Sequence, residues 1–541
     1  MSESTTPVIV VGAGPVGLSS AICLSRQGIK TLLIEQSTHV TDHPKARGIT
    51  ARSMELFRQW GVEKEIRNFE FPAEAARFTW MTDFLGSVIT HVKADNSVFT
   101  SLSPISRALV SQDKIEEVLW NKVNADPNIS VRRGYEAVLR GQDSKQVHVD
   151  LHNRNDGSTQ LARASYLIGA DGAHSLIRKG LGLELKGSLL GENCSVYCRM
   201  ELRPWLKEGI SAGFFIPSER GAGKAMLSGN AGDLWLVMFR LNGEKGEREK
   251  YTPEFCRQEI RKFLGLDHLE IEIKTIGFWT MSALVAESFS KGRVFLVGDA
   301  AHCVPPTGGY GMNLGIQDAH NLAWKLAYVL NGYVDSRLLE TYTVERKVQA
   351  EKIIAWSTPN NSRIVDIFKA AYSQNYPRMI DLLAEQSEHL NSSGLDLGFH
   401  YESEAIASTD ALLPEMTVGS YNPTSVPGFR APHVWTKRPS GETLSTLDLF
   451  DRNFVFLTAA PKGVWESRIE RLQKNTKIPV RVFRIAQDGD FLDQGDFLKT
   501  YGMNPTDGVL VRPDGHVAWK GENSDSVEQE IHSFLVSMWR L

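Results

Sequence analysis

The hydrophobic positions of this chain fall into a few unbroken runs and many alternating ones. Residues 8–11, 31–34, 166–168 and 293–297 are short apolar runs, the pattern of strands buried on both faces. The first is followed by glycines and an apolar helical pattern to about Arg26. The third leads into a sharp turn and a helix from Ser175 to Gly180. The fourth leads into a glycine-rich loop and a long helix opening at Asn313, with Ile316, Leu322, Ala323, Leu326 and Leu330 on its apolar face. Alternating polar and apolar positions predict strands within 71–106 and 129–151, and several more from 192 to 239, separated by Gly, Pro and Ser. That last group reads as a largely antiparallel sheet in a second domain. A helix is predicted over 50–60, with Met54, Leu56, Phe57 and Trp60 near helical spacing and Gly61 as its stop. Another follows Ser111, an N-cap with an acid in the first turn.

Helix continues from 339 to 354. Residues 356–410 read as helical with polar breaks at 358–362 and 391–394. From about Thr417 the chain becomes loop-rich, and 421–432 makes a fair linker. Beyond it the pattern is β (453–458), α (465–473), β (480–485), a short α near 491–501, a hairpin (508–519) turning at Asp514-Gly515, and α (526–538). That order resembles a thioredoxin-like fold. No cysteine follows Cys303, so thiol redox chemistry is excluded from this tail, and a structural or dimerising role is expected.

Composition narrows the class. The length of 541 residues suits about three domains. The apolar content of 42% and charged content of 23% are those of an ordinary globular enzyme, and a net charge of −4 gives no reason to expect nucleic acid as a partner. Five cysteines do not make a disulfide framework, and Cys194 and Cys198 lack a second pair at zinc spacing, so no metal is expected. A reducing, cytoplasmic setting fits. No leader pattern precedes the first strand and no run of 18 apolar residues occurs, so no membrane span is expected.

Three stretches carry candidate chemistry. Gly12, Gly14 and Gly17 follow the first strand in GxGxxG spacing, and Glu35 ends the second. Gly12 permits the tight turn, Gly14 lets the backbone approach a pyrophosphate, Gly17 lets helix and strand pack closely, and the helix N-terminus faces the anion. Glu35 would accept hydrogen bonds from an adenosine ribose. The second stretch places Asp171 and Gly172 at a strand's carboxyl end, where open α/β sheets hold ligands. The third runs from Gly298 to the long helix. Asp299 ends the strand, Pro305-Pro306 and Gly308-Gly309 build a rigid open loop, and Gly311 allows close backbone approach. Amides ending on a helix N-terminus there would stabilise negative charge. Arg47, in the loop leaving Glu35, reads either as a solvated basic residue or as lying along a phosphate or flavin edge. Gln112 either reaches the cofactor or faces water. On the antiparallel sheet, Tyr197, Phe214, Phe215, Trp235 and Phe239 are the aromatics from which an apolar pocket could draw, ordinary sheet packing accounting for most of them.

GxGxxG with Glu35, the Asp171-Gly172 turn, and GDAAH at 298–302 together resemble the single-component flavoprotein monooxygenases that hydroxylate phenols, typified by para-hydroxybenzoate hydroxylase. The resemblance spans roughly 7–350. The tail, with PGFRAPHVW at 427–435, is similar to the phenol hydroxylase and polyketide-tailoring branch. It implies an α/β (α+β overall) fold: a Rossmann-type FAD-binding domain over 1–190 and 285–355, with an inserted strand segment near 71–106; a mostly antiparallel substrate domain over 191–284; a helical connector over 356–416; and a thioredoxin-like domain over 417–541. Non-covalent FAD is implied, with Gly12, Gly14, Pro15 and Gly17 on its pyrophosphate and Glu35 and Gln36 at the ribose. Arg47, Gln112, Asp171, Asp299 and Pro306 are implied beside it. Gly309, Gly311, Met312, Asn313 and Leu314 would pass along the isoalloxazine, the last two near its O2 edge. Arg178 would support the Asp171 turn, which in the family serves both FAD and NAD(P)H.

The implied reaction has NAD(P)H reduce the flavin and oxygen add at C4a to give a hydroperoxide, whose distal oxygen an electron-rich phenolic or polycyclic ring attacks. The 303–306 loop, rigid and poor in donors, suits a wall against water. No phenol-activating base is assigned; Tyr197, His302, Tyr310 and His174 are weak candidates. The same scaffold admits Baeyer–Villiger insertion, and a non-catalytic FAD-binding scaffold is the alternative of another class. A homodimer is compatible with the tail.

Overall fold

The protein, seen in a computed structural model, is described over residues 4–39, 45–217, 224–385, 391–524 and 526–539. Its first sheet has eight strands. Five of them are parallel, in the order Val294–Leu296, Thr159–Gly169, Ser4–Val11, Thr31–Glu35 and Ile129–Arg133. The hairpin pair Tyr135–Gln142 and Val147–Asn153 adds on antiparallel to Thr159–Gly169, and Ser290–Lys291 closes the other edge. The register levels the strand ends: Val11 lies beside Ile34 on one side and Gly169 on the other, and Gly169 lies beside Leu296. The apolar runs are buried throughout, as both-faces-covered strands require. Helix Pro15–Arg26 packs between Gln112–Asn124 and Tyr310–Leu330.

The second eight-stranded sheet is antiparallel except for one pair. Its order is His302–Cys303, Glu272–Ala286, Leu185–Arg199, Leu234–Arg240, Lys224–Ser228, Gly213–Ile216, Phe78–Met81 and Val88–Val92. The strands expected as an insertion near 71–106 thus hydrogen-bond into this sheet, through the parallel pairing of Phe78–Met81 with Gly213–Ile216. One face packs on helix Pro253–Leu264 around Val196, Cys198, Phe214, Trp235, Phe239 and Ile260. Cys194 and Cys198 are core residues of that face.

The tail forms a four-stranded sheet, Val480–Arg484, Phe454–Thr458, Gly508–Val511 and Val517–Gly521, with helices Glu466–Thr476, Phe497–Tyr501 and Val527–Trp539 in the expected order. No described helix is long and apolar enough to cross a membrane.

Local expectations fail in three places. The long helix begins at Tyr310, not Asn313, because Gly309 takes the left-handed conformation (φ +70°) as its N-cap. Ser111 occupies the N-cap of Gln112–Asn124, but its hydroxyl bonds to Asp113 rather than to a helix amide. The break expected at 358–362 is absent: Glu340–Tyr372 is one helix running through Pro359. An interior proline costs about 3 kcal/mol. Burial of Ile353, Ser357, Asn360, Ile367 and Phe368 on the helix offsets it, and the Thr358 hydroxyl donates to the Ile354 carbonyl at 2.8 Å.

The tail is locked to helices Tyr310–Leu330 and Glu340–Tyr372 by buried charge. Glu345 accepts from Lys325 (2.8 Å) and from both terminal nitrogens of Arg512 (2.7 and 2.9 Å), all fully buried. Burial alone would raise the Glu345 carboxyl, but Arg512 and Lys325 hold it below the usual range. Arg512 also pairs with Asp514, whose carbonyl accepts from Arg52 at 2.7 Å. Glu345→Ala would leave buried Lys325 without its ion-pair partner and Arg512 with Asp514 alone. It is expected to destabilise the protein by about 3–5 kcal/mol, read by urea denaturation, whereas a surface carboxylate such as Glu254 changed the same way costs less than about 1 kcal/mol.

His516, stacked on Tyr401 at 4.2 Å, and His320 lie at this junction. Burial, the largest influence, lowers them to about 4 and about 3, with Arg52 adding in the same direction and Asp514 opposing. A histidine held neutral stabilises the fold fully above its unfolded pKa, near 6.5, and that stability is lost as pH falls through 6.5 toward the folded value. Melting temperature is therefore expected to drop between pH 6.5 and 4. His516→Gln should flatten the slope by up to about 1.4 kcal/mol per pH unit; an unchanged slope in a pH series of melts would contradict this.

Candidate functional site

The level strand ends bring three distant turns to one cleft. In the first, Gly12 has φ +97°, and a Cβ on it would lie 2.4 Å from the Ala170 carbonyl oxygen, so the first and second turns touch backbone to backbone. A Cβ on Gly17 would lie 1.8 Å from the Gly12 oxygen. Gly14 differs: a Cβ there meets no protein atom within 4 Å. It is the N-cap of Pro15–Arg26, which has no side-chain cap and Pro15 in its first turn. Open space in front of an uncapped helix N-terminus fits a pyrophosphate. Glu35 reaches back to this turn, accepting from the Ala13 amide at 2.7 Å and the Ser37 amide at 2.8 Å. A carboxylate has further lone pairs for ribose hydroxyls. Gln36 is exposed beside it.

In the second turn, Asp171 accepts from the Ser175 hydroxyl (2.5 Å) and the Ile177 amide (3.1 Å), and burial raises its carboxyl. It is thus bound to the start of helix Leu176–Gly180. Arg178 is buried and spent on the Ala300 and Ala173 carbonyls, both at 3.0 Å, so it braces the second turn against the third. In the third turn, Asp299 has an exposed surface, and burial by the surrounding protein raises its carboxyl, with His302 and Lys45 opposing. Pro306 is exposed and its carbonyl accepts from the Gly309 amide at 3.0 Å.

The first turn of Tyr310–Leu330 has no side-chain cap, and a Cβ on Gly311 meets no protein atom within 4 Å. Met312 and Leu314 are buried. The Asn313 side chain does not face the cleft freely. Its oxygen accepts from the Thr50 amide (3.0 Å), and its nitrogen donates to the Gly48 and Gly309 carbonyls (2.9 and 2.7 Å). What it can offer the cleft is therefore its backbone amide, while its side chain places strand Gly48–Ile49. Gln112 is likewise engaged, accepting from the Ala46 amide at 3.0 Å and donating to Glu116 at 2.7 Å. It positions the 45–47 segment, which lies on the cleft. Glu116, buried behind Gln112, was invisible in the sequence; burial pushes it up to about 7.

The Arg47 guanidinium donates to the Ala212 carbonyl at 3.2 Å and lies close enough to the Tyr197 phenol to couple with it. Burial lowers it to about 10, still a cation at neutral pH. Arg47 thus links the 45–47 segment to the second sheet at the start of Gly213–Ile216 and to Tyr197. Tyr197 lies on the inner face of that sheet, with Leu236 opposite it and Ser195 opposite Met238. Trp279 donates its indole hydrogen to Ser195 at 2.7 Å on the same face. Of the five expected aromatics, Phe214, Trp235 and Phe239 fill the core behind the sheet; Phe215 stacks on Trp80 at 4.8 Å.

Two base candidates are out of reach. His302 is fully buried, bonded to Asp318 at 2.6 Å, and forms the edge strand of the second sheet. Tyr310 is buried, its hydroxyl bonded to Ser392 (2.7 Å) and Asp396. His174 is exposed in the second turn. Tyr197 alone of the four lies at the junction of cleft and sheet. These partners are not legible in residue spacing: Asp318 lies 16 residues beyond His302, inside the long helix, and Ser392 and Asp396 lie 82 and 86 residues beyond Tyr310.

Glycine- and acid-bearing turns at level parallel strand ends, opening onto an antiparallel sheet, define a flavoprotein of two interlocked sheets. Comparison agrees. Residues 5–357 match the family described as FAD binding domain, and 424–538 match the aromatic-ring hydroxylase C-terminal family. The chain is 33% identical to tetracenomycin A2 monooxygenase-dioxygenase of Streptomyces glaucescens, over 96% of this chain and 94% of that protein. It is 32% identical to aklavinone 12-hydroxylase RdmE of Streptomyces purpurascens, over 97% of each. The flavin-dependent monooxygenase PieE, solved with FAD and substrate, superposes with a TM-score of 0.91 at 26% identity over 99% of both chains. Aklavinone-11 hydroxylase with FAD and aklavinone gives 0.84 at 30% identity over the full length of both. The chain belongs to the FAD-dependent aromatic-ring hydroxylases.

The glycines make a paired prediction. Gly14→Val is expected to weaken FAD binding at least about tenfold, a loss of 1.4 kcal/mol, while leaving the melting temperature of the apoprotein unchanged. Gly17→Ala forces a Cβ against the Gly12 carbonyl and should destabilise the apoprotein by about 1–3 kcal/mol. Flavin fluorescence titration and thermal melts separate the two effects.

Proposed function

We propose that this protein uses NAD(P)H and O2 to hydroxylate an oxygenated aromatic substrate of the polycyclic, polyketide-like class, with FAD as the resident cofactor. The observation that carries the reading is the bridge from Arg47 to the second sheet, which sets a mixed apolar and hydrogen-bonding wall directly against a cleft shaped for a dinucleotide. When bound, FAD supplies the hydride acceptance and oxygen activation. The rest falls to the chain. Gly12–Gly17 and the Pro15–Arg26 N-terminus take the pyrophosphate, Glu35 the ribose, and Asp299 the ribityl hydroxyls. The amides of the Tyr310–Leu330 first turn supply positive potential to the pyrimidine edge. Val304 and buried Pro305 keep water from the reacting face. Leu236 and Met238 offer apolar contact, and Ser195, Trp279 and Tyr197 fix the orientation of a phenolic guest. Arg47, cationic beside Tyr197, favours a substrate in its phenolate form, so a dedicated base is unnecessary.

The relatives named for tetracenomycin and aklavinone support a polycyclic substrate over the single ring of the 4-methyl-5-nitrocatechol 5-monooxygenase of Burkholderia, which is 31% identical. The test is a panel of mono- and polycyclic phenols assayed for accelerated NAD(P)H oxidation by the holoenzyme, with product connectivity determined by NMR. A new aryl hydroxyl on a polycyclic member is expected. Oxygen inserted beside a ketone, or no substrate-stimulated oxidation by any member, would overturn the reading.

A further inference from the structure

Tyr310 is the first residue of the helix whose first turn is uncapped and open at Gly311, yet its own side chain is buried in protein. It is 1% exposed and stands edge-on to Trp356 at 5.5 Å. Its hydroxyl enters a closed ring of four residues. It bonds to Ser392 at 2.7 Å and donates to Asp396; Arg107 donates to the other Asp396 oxygen at 2.8 Å and to Ser392 at 2.7 Å. The Asp396 side chain has no exposed surface. Arg107 lies over the Phe99 ring at 4.9 Å, and Gly394, beside Asp396, has no room for a Cβ, which would meet the Thr417 oxygen at 1.9 Å. Both ends of the clamp are therefore fixed. Arg107 directly precedes Ala108–Leu109, which pairs with Gly48–Ile49, and Asn313 bonds to the Gly48 carbonyl and the Thr50 amide. The first helical turn is thus gripped twice: by Asn313 on its inner side and by Tyr310 on its outer side.

We propose that Asp396, held by Arg107 and acting through the Tyr310 hydroxyl, is a positioning residue that aims the uncapped amides of Gly311, Met312 and Asn313 at the pyrimidine edge of FAD, and so tunes its affinity and reduction potential. The inference rests on the FAD reading above. Hydrogen-bond strength falls steeply with angle and distance, so a small tilt of this turn is felt by the ligand. A desolvated charge pair with every oxygen engaged is a stiff anchor for it. The positive helix end favours negative charge, so loss of aim should cost reduced FAD more than oxidised FAD.

Tyr310→Phe keeps the ring against Trp356 and removes only the hydroxyl; Asp396→Asn removes the charge. Each variant and the wild type are read for FAD dissociation constant, two-electron midpoint potential of bound FAD, and apoprotein melting temperature. Tyr310→Phe is expected to weaken oxidised FAD about tenfold and reduced FAD about tenfold more, which appears as a potential lowered by about 30 mV. A purely architectural ring would move the melting temperature and leave the potential in place. A folded Tyr310→Phe whose dissociation constant and potential equal those of wild type overturns the inference while the FAD reading stands, and it decides the matter should Asp396→Asn fail to fold. Wild-type protein that binds no FAD overturns both.

Discussion

Everything at the cleft depends on parallel strands ending level. Val11, Ile34, Gly169 and Leu296 are neighbours across four strands, so the turns that follow them begin at the same height. A one-residue slip would flip every side chain of the slipped strand to the other face. It would also part Gly12 from Ala170, a contact that already leaves no room for a Cβ. The register is held because each strand is buried on both faces and has a single way to place its apolar side chains. Motifs separated by more than a hundred residues therefore act as one site.

The second sheet is not merely apposed to the first. His302–Cys303, inside the third motif, hydrogen-bonds to Leu284 and Val285, and the long strands Leu185–Arg199 and Glu272–Ala286 run from the cofactor cleft outward. This gives His302 a structural role. Its bond to Asp318, and the bond of Asp318 to Arg346 at 2.7 Å, begin a buried polar path that continues through Tyr401 toward Asp514 in the tail. Such pairs contribute little net stability when intact, because desolvation offsets attraction, but breaking one partner is costly. They specify which surfaces meet. The thioredoxin-like tail, which has no cysteine, is joined to the catalytic half through this path and through Arg52 and Arg430 on Glu55.

Local sequence determined the elements and the cofactor. Apolar runs, GxGxxG with an acid closing the next strand, the Asp171-Gly172 turn and the tail's element order are all short-range signals. Backbone conformation and strand burial are set within a few residues, and each of these signals matches the structure. Tertiary structure alone decided what the polar side chains do. Asn313, Gln112, Arg178, His302 and Tyr310 sit in or beside motifs, yet each is committed to a partner between 16 and 265 residues away along the chain. A hydrogen bond is chosen by three-dimensional proximity, which no spacing encodes. Pro359 makes the same point in reverse: its local preference for a break lost to the burial of a helix whose packing partners lie elsewhere.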